Sequence, residues 1–470
     1  MRSEWFTASS ENQLRVALGT VAAVSLGQAV QDADGQLSLA GIGWLSVAVL
    51  TAVAALVAPP WSRHEPAVAQ VVSLGLLGAL AAQFAQLHLT APGISMGTAT
   101  DWQRHFIALL AVAAVACGAL VGPARRARHL LIGAMLMTHL ALGLLMIRAS
   151  PAPHIDVFVF QRDSARALLD GADPYGLAMP NIYGSDQGYG PELLTSGQLG
   201  FGFPYPPLSL ELSTLGEWLG GDVRYADLAA MTITGGLIAY LRPGPLPALA
   251  AALYLFTPRN FFVLEQSWTE PFVVLFVAAV VFCALRWPKG LPYALGLFLV
   301  AKQYCPLALP LLALLAVPAC GKRWYGRVLG RAGAVATVLT LPLAVRHPAA
   351  FVHSVAILQF RLPFRPDSLS YPAWLAGPDG TVPFNVGVAF VAAAVVIGLA
   401  LWRMPRTPAG FALALSATFL IFFAFNKQSF CNYYFFIIGS LCVAIAASQP
   451  TPDLTPTPDR TAREGDVTSV

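Results

Sequence analysis

Charge is scarce in this chain. Of its 470 residues only 11% are Asp, Glu, Lys or Arg, less than half of the ~25% that coats a soluble domain. That shortage excludes a water-exposed globule. The net charge is a small +4, and no nucleic-acid partner is expected. The six cysteines (Cys117, Cys283, Cys305, Cys320, Cys431, Cys442) form no CxxC and no Cys/His cluster. They read as buried free thiols, not as a zinc site or a disulfide framework. No Walker-type GK[ST] and no GxGxxG is present, so ATP-driven transport and dinucleotide chemistry have no support. The apolar stretch from Leu14 lacks a small-residue cleavage site after it and reads as a first membrane helix, not a cleaved signal.

Hydrophobic residues, by contrast, make up 56% of the chain, and its mean hydropathy is +0.64. They come in blocks of roughly 17–25, the length that spans ~30 Å of hydrocarbon. The fold predicted is an all-α polytopic transmembrane bundle. Its helices fall near 14–30, 37–58, 67–90, 105–122, 129–149, 224–241, 245–258, 269–286, 326–345, 383–402, 408–425 and 430–447. A polar, aromatic segment at 150–206 interrupts them and carries an amphipathic helix. The Pro/Thr-rich tail 449–470 is expected to be disordered and cytoplasmic.

Arginine and lysine in short loops orient such a bundle. Clusters at Arg125–Arg128, Arg286–Lys289, Lys322–Arg327 and Arg403–Arg406 predict cytoplasmic loops, leaving 150–206 outside the plasma membrane. Two stretches must then bend. Residues 207–219, after Pro206-Pro207, are expected to dip in and return. Residues 290–318 are expected to form two short helices meeting near Lys302, broken by Pro306.

On this topology the ionisable residues gather at the outer face, and such groups near hydrocarbon mark a site or a pathway. Asp156 opens an amphipathic stretch suited to the interface. It is placed either to cap a helix or to act as a general base on a hydroxyl. Lys302, Arg259 and Lys427 are candidates to hold a lipid-anchored phosphate, with Arg361 and Arg365 in reserve. Lys427 and Arg259 read equally as cations reaching past helix ends to water. Glu265 and Glu270 pair with these cations or bind an acceptor sugar, beside Gln266, Gln303 and Gln428. Tyr175, Tyr183, Tyr189, Phe201, Phe203, Tyr205, Trp268, Tyr371 and Trp374 read first as an interfacial belt; Tyr175 and Tyr205 are also candidates for sugar stacking. Asp32-Ala33-Asp34 spells a D-x-D in a short turn and reads as a solvated loop.

Several of these stretches carry a resemblance. Asp156 leads to Gly171-Ala172-Asp173-Pro174-Tyr175; then come Tyr205-Pro206-Pro207-Leu208, GDVRYADL at 221–228, LEQSWTEP at 264–271, AKQYCPLALP at 301–310 and NKQSFCNYY at 426–434. In this order the chain resembles the polytopic GT-C glycosyltransferases, specifically glycosyltransferase family 87, which includes polyprenol-phosphate-mannose-dependent alpha-mannosyltransferases. The resemblance implies a sugar, mannose first, carried on a polyprenyl phosphate and moved with inversion to a lipid or glycan acceptor. It implies Asp156 as the base and no nucleotide-binding domain; no cofactor is expected and no metal ligands are assigned, with the metal requirement left open. It covers about 150–440, with 126–448 taken as the catalytic module and 1–125 as an extension, because the family's base usually follows a single membrane helix. A flippase of a lipid-linked sugar is the reading from another class, disfavoured by the one-sided placement of polar residues.

Overall fold

The computed structural model describes residues 13–58, 66–97, 101–122, 125–184, 188–316, 321–376, 385 and 387–448. The tail at 449–470 and Cys320 lie outside the described residues. Five long apolar helices open the chain: α1 (Gln13–Asp32), α2 (Leu39–Val57), α3 (Pro66–Leu89), α4 (Asp101–Gly118) and α5 (Arg125–Ala149). The amphipathic α6 (Asp156–Leu169) and a two-stranded hairpin, β1 (Leu194–Thr195) with β2 (Gln198–Leu199), precede α7 (Pro207–Gly220). Then follow α8 (Arg224–Ala239), α9 (Pro245–Leu255), α10 (Asn260–Glu265), α11 (Glu270–Arg286), α12 (Leu291–Leu299) and α13 (Lys322–Ala344). Short helices α14 (Pro348–Val352), α15 (Leu358–Arg361) and α16 (Tyr371–Leu375) lead to α17 (Gly387–Arg403), α18 (Pro408–Ala424) and α19 (Cys431–Ala447). Among the described residues six helices are long and apolar enough to cross a membrane: α1 to α5 and α13, with α3 and α4 counted from Val72 and Trp102. The protein is a multi-pass helical membrane bundle.

Burial shows how the helices are layered. In α18 the buried positions run unbroken from Ala409 to Ala424, and α9 and α19 are nearly as enclosed. A helix apolar all round has its place inside a bundle, and these three are wrapped by α1, α2, α8 and α11. Val338 and Leu341 on α13, and Val391, Val395 and Trp402 on α17, are instead exposed. Those faces suit lipid, which is as apolar as the side chains themselves. Helix ends follow local chemistry. Ser38 caps α2 by accepting from the Gly41 amide at 2.9 Å, and Thr407 caps α18 by accepting from Gly410 at 3.0 Å.

Three expectations are corrected here. Residues 207–220 form one unbroken helix, started by Pro207 at its first turn and stopped by Gly221 in the left-handed region. With no breaker inside it, the segment does not turn back on itself; it lies against α6 and α8. The 290–318 stretch does break beside Lys302, but its second half, Cys305–Leu314, is a 3-10 helix. Pro306 and Pro310 each remove a donor and crowd the preceding turn, which keeps that segment from closing as an α-helix. Third, most of the aromatics at 175–205 are not a belt at the membrane surface. Tyr175, Phe201 and Phe203 join Phe158 and Phe160 in a second apolar core beneath the β-hairpin.

Candidate active site

Asp156 sits in the first turn of α6, where a negative charge is favoured by the helix dipole. One carboxylate oxygen accepts the Val157 amide at 2.7 Å, and the other accepts the Tyr189 hydroxyl. Tyr183 accepts the Asp156 amide at 3.1 Å. Burial raises the carboxyl above the usual aspartate range, while the hydrogen bonds from Tyr189 and Val157 and the nearby Arg365 pull it back down. Asp156 faces a cavity of about 380 Å³, within the range of ligand sites at roughly 300–1,000 Å³. Gln266, Trp268, Lys302, Arg365, Gln428, Asn432 and Tyr205 line it as well, from stretches far apart in the chain.

Lys302 reaches this cavity from the break after α12, where its ammonium donates to Glu270 at 3.0 Å and to Thr269. Its nitrogen also lies 4.1 Å from the centre of the Tyr205 ring, a favourable cation–π geometry. An ammonium has three donors; Glu270 and Thr269 take two, and no hydrogen bond among the described residues takes the third. The lysine therefore does not wait for a lipid phosphate to balance it, as its apolar neighbours in the sequence suggest; Glu270 already does so. Tyr205 is held in turn by its neighbours. Tyr175 donates to its carbonyl at 2.9 Å, and Gln303 donates to the adjacent Pro204 carbonyl at 2.6 Å.

Arg365 lies on another wall. It makes a bidentate pair with Asp367, at 2.9 and 2.7 Å, and its guanidinium stacks over Phe430 at 5.0 Å. Its backbone amide bonds to the Lys427 carbonyl at 3.1 Å. The pair with Asp367 occupies Nε and one terminal nitrogen and leaves the other terminal nitrogen outside that pair, on a residue that lines the cavity.

The remaining predicted residues have other work. Arg259 pairs with Asp34 and donates to the Ala91 carbonyl at 3.1 Å, and it does not line the cavity. Lys427 donates to the Phe360 carbonyl at 3.1 Å and to that of Leu362. Glu265 has no exposed surface and accepts from the amides of Ile94 at 2.7 Å and Ser95 at 2.9 Å. Glu270 is equally enclosed and meets the cavity only through Lys302. Tyr175 and Gln303 brace the wall from behind. Arg361 is exposed. Of the acceptor candidates, Gln266, Tyr205 and Gln428 face the cavity.

Residues given no catalytic or binding part in the sequence complete the site: Tyr183 and Tyr189, read there as belt aromatics, and Asp367. Tyr183 and Tyr189 stand in YGSDQGYG, and both hydroxyls meet Asp156. Asp367, two residues beyond Arg365 across a proline, is a short-range pair legible in hindsight. The D-x-D turn is solvated at Asp32, which is exposed and accepts from Ser38, while Asp34 is partly covered and holds Arg259. Among the described residues no group of three or more His, Cys, Asp or Glu is arranged to hold a metal ion.

No protein-family model matches the chain, and no curated protein sequence matches it. Among solved structures the chain is similar to ArnT from Cupriavidus metallidurans, in a crystal structure bound to undecaprenyl phosphate. The similarity covers 69% of this chain and 60% of that one, with 16% sequence identity and a TM-score of 0.42. This chain thus matches less than two thirds of the length of that protein.

Proposed function

We propose that the protein is a membrane glycosyltransferase that moves a sugar, mannose in the finer reading, from a polyprenyl-phosphate donor to an acceptor hydroxyl. The observation that carries this reading is the cavity itself. One buried-side carboxylate, Asp156, faces two cations with donors to spare, Lys302 and Arg365, at the edge of an apolar bundle. A carboxylate beside an alcohol and cations beside a phosphate are the two parts a single displacement needs. The acceptor oxygen attacks the anomeric carbon as its proton passes to Asp156. The bond from that carbon to the phosphate oxygen breaks, inverting the centre, and the polyprenyl phosphate leaves with its charge met by Arg365 and Lys302.

Arg365 replaces Arg259 and Lys427 as the phosphate anchor in this reading, since both of those are committed to protein partners and neither lines the cavity. Arg365→Met should weaken undecaprenyl phosphate binding by about tenfold to a hundredfold, the equivalent of a charge-assisted hydrogen bond of ~1.5–3 kcal/mol. A titration of the purified variant in lipid nanodiscs measures this. Unchanged affinity would remove the phosphate from that wall.

The cavity is proposed to face the extracytoplasmic side. Arg286 donates to the Leu241 carbonyl at 3.0 Å, so the α8–α9 and α11–α12 turns meet at one end. α11 begins at Glu270, beside the cavity residue Lys302, and ends at Arg286, so these turns lie at its far end, with the basic loops that favour the cytoplasm. A cysteine replacing Thr195 on the exposed hairpin should react with an impermeant maleimide in intact cells, and one replacing Arg126 only after lysis. The reverse pattern would refute this orientation.

A further inference from the structure

Two turns of the N-terminal extension reach the site. Between α1 and α2, Gly35 has φ +76°, and a Cβ there would stand 2.5 Å from the backbone nitrogen of Cys431. Only glycine allows the turn to seat so closely on the start of α19. Seated there, Asp34 pairs with Arg259, and the Leu37 amide donates to the Asp367 carbonyl at 2.8 Å. Gln36 forms an isolated bridge with Ser368, whose own amide donates to the Arg365 carbonyl at 3.2 Å. After α3, Glu265 grips the Ile94 and Ser95 amides, and Gly93 lies so close that a Cβ would stand 2.5 Å from a Glu265 oxygen. A charge without exposed surface is costly unless its partners stay in place. The two turns are therefore fixed walls, not loose covers.

Asp34, Gln36 and Ile94 line the same cavity as Asp156. The Gln36 side chain is exposed and makes no hydrogen bond among the described residues. Gln36 and Arg365 line one cavity, and an open amide N–H₂ there adds a neutral donor to the charged one that a guanidinium offers an anion.

We propose that the α1–α2 turn is part of the ligand site, with the Gln36 amide donating to a phosphoryl oxygen of a polyprenyl phosphate beside Arg365. This rests on the transferase reading and deepens it. The extension is then a working part of the binding site, and a chain without it has an open wall where the phosphate sits.

The test uses the full chain in nanodiscs carrying Gln36→Cys, with Gln359→Cys on another cavity wall and Glu192→Cys outside the cavity as references. Maleimide labelling at each position is read by peptide mass spectrometry, with undecaprenyl phosphate or inorganic phosphate added. At a lipid concentration ten times its Kd, labelling of Gln36→Cys and Gln359→Cys should slow about tenfold, since only the unoccupied fraction reacts. Glu192→Cys should be unaffected. Protection of Gln359→Cys alone would overturn the proposal and leave the transferase reading standing. Protection of neither would overturn both. Equal protection by inorganic phosphate would overturn a polyprenyl phosphate as the ligand of Gln36.

Discussion

Asp156→Asn should lower sugar transfer at least about a hundredfold, the scale on which a general base contributes, while undecaprenyl phosphate still binds. Asparagine keeps the size of the side chain and one oxygen to accept from Tyr189 or Val157, so the N-terminus of α6 keeps its bonding. What it loses is the proton acceptor. Transfer from a polyprenyl-phosphate sugar to membrane extract measures the rate, and wild-type turnover in the variant would reduce Asp156 to a helix-terminal residue. The pH profile adds a second check. Burial holds the Asp156 carboxyl above the usual aspartate range, and only the ionised form takes a proton. The ascending limb of kcat/KM should therefore lie on the alkaline side of an ordinary aspartate. Tyr189→Phe removes a hydrogen bond that favours the ionised form, so it should move that limb further alkaline. A limb that stays where it was would separate Tyr189 from the reacting carboxylate.

Stability should suffer most from breaking the Lys302–Glu270 pair. Lys302 is 5% exposed and Glu270 has no exposed surface, with one carboxylate oxygen lacking a partner among the described residues. Lys302→Met keeps the stem but strands Glu270 as an isolated buried charge, a change that costs about 3–5 kcal/mol in buried pairs. Adding Glu270→Gln neutralises the stranded group, so the double variant should recover most of the loss. Thermal unfolding of the purified proteins in one detergent makes the comparison. A single variant as stable as wild type, or a double variant no better than the single, would mean the pair does not stabilise through opposite charge. Measured alongside, lipid-phosphate affinity shows whether the third donor of Lys302 reaches a ligand.

Much of the fold was legible because a bilayer leaves a chain few choices. Every backbone group in hydrocarbon must be bonded within its own segment, so long apolar runs predict helices, and α1, α2 and α5 lie within a few residues of their expected places. The break beside Lys302 was legible for the same reason, since proline removes donors wherever it stands. Asp156 was legible as the polar start of an amphipathic segment after a membrane helix. The hairpin at 194–199 was not, although Ser196 and Gly197 both have positive φ, the signature of the tight turns that suit paired strands. The surrounding glycines and tyrosines made that segment look like a loop.

Partner choice was harder to read. Lys302, Arg259 and Lys427 look alike in sequence, as cations at the ends of apolar runs. Only the packing distinguishes them, sending Lys302 to Glu270, Arg259 to Asp34 and Lys427 to two carbonyls. Glu265 and Glu270 are five positions apart, yet one holds a turn of the extension and the other holds a lysine. The sequence by itself determined that this is a polytopic helical membrane protein with its chemistry-bearing residues in the connections, because hydrophobic length and backbone bonding act locally. The tertiary structure decided which of those residues share a cavity, and that Asp34, Gln36 and Ile94 from two turns of the extension belong to its wall. Charge pairing and close approach act through space between distant segments, and at Gly35 the approach is decided by a contact with residue 431, which no local pattern encodes.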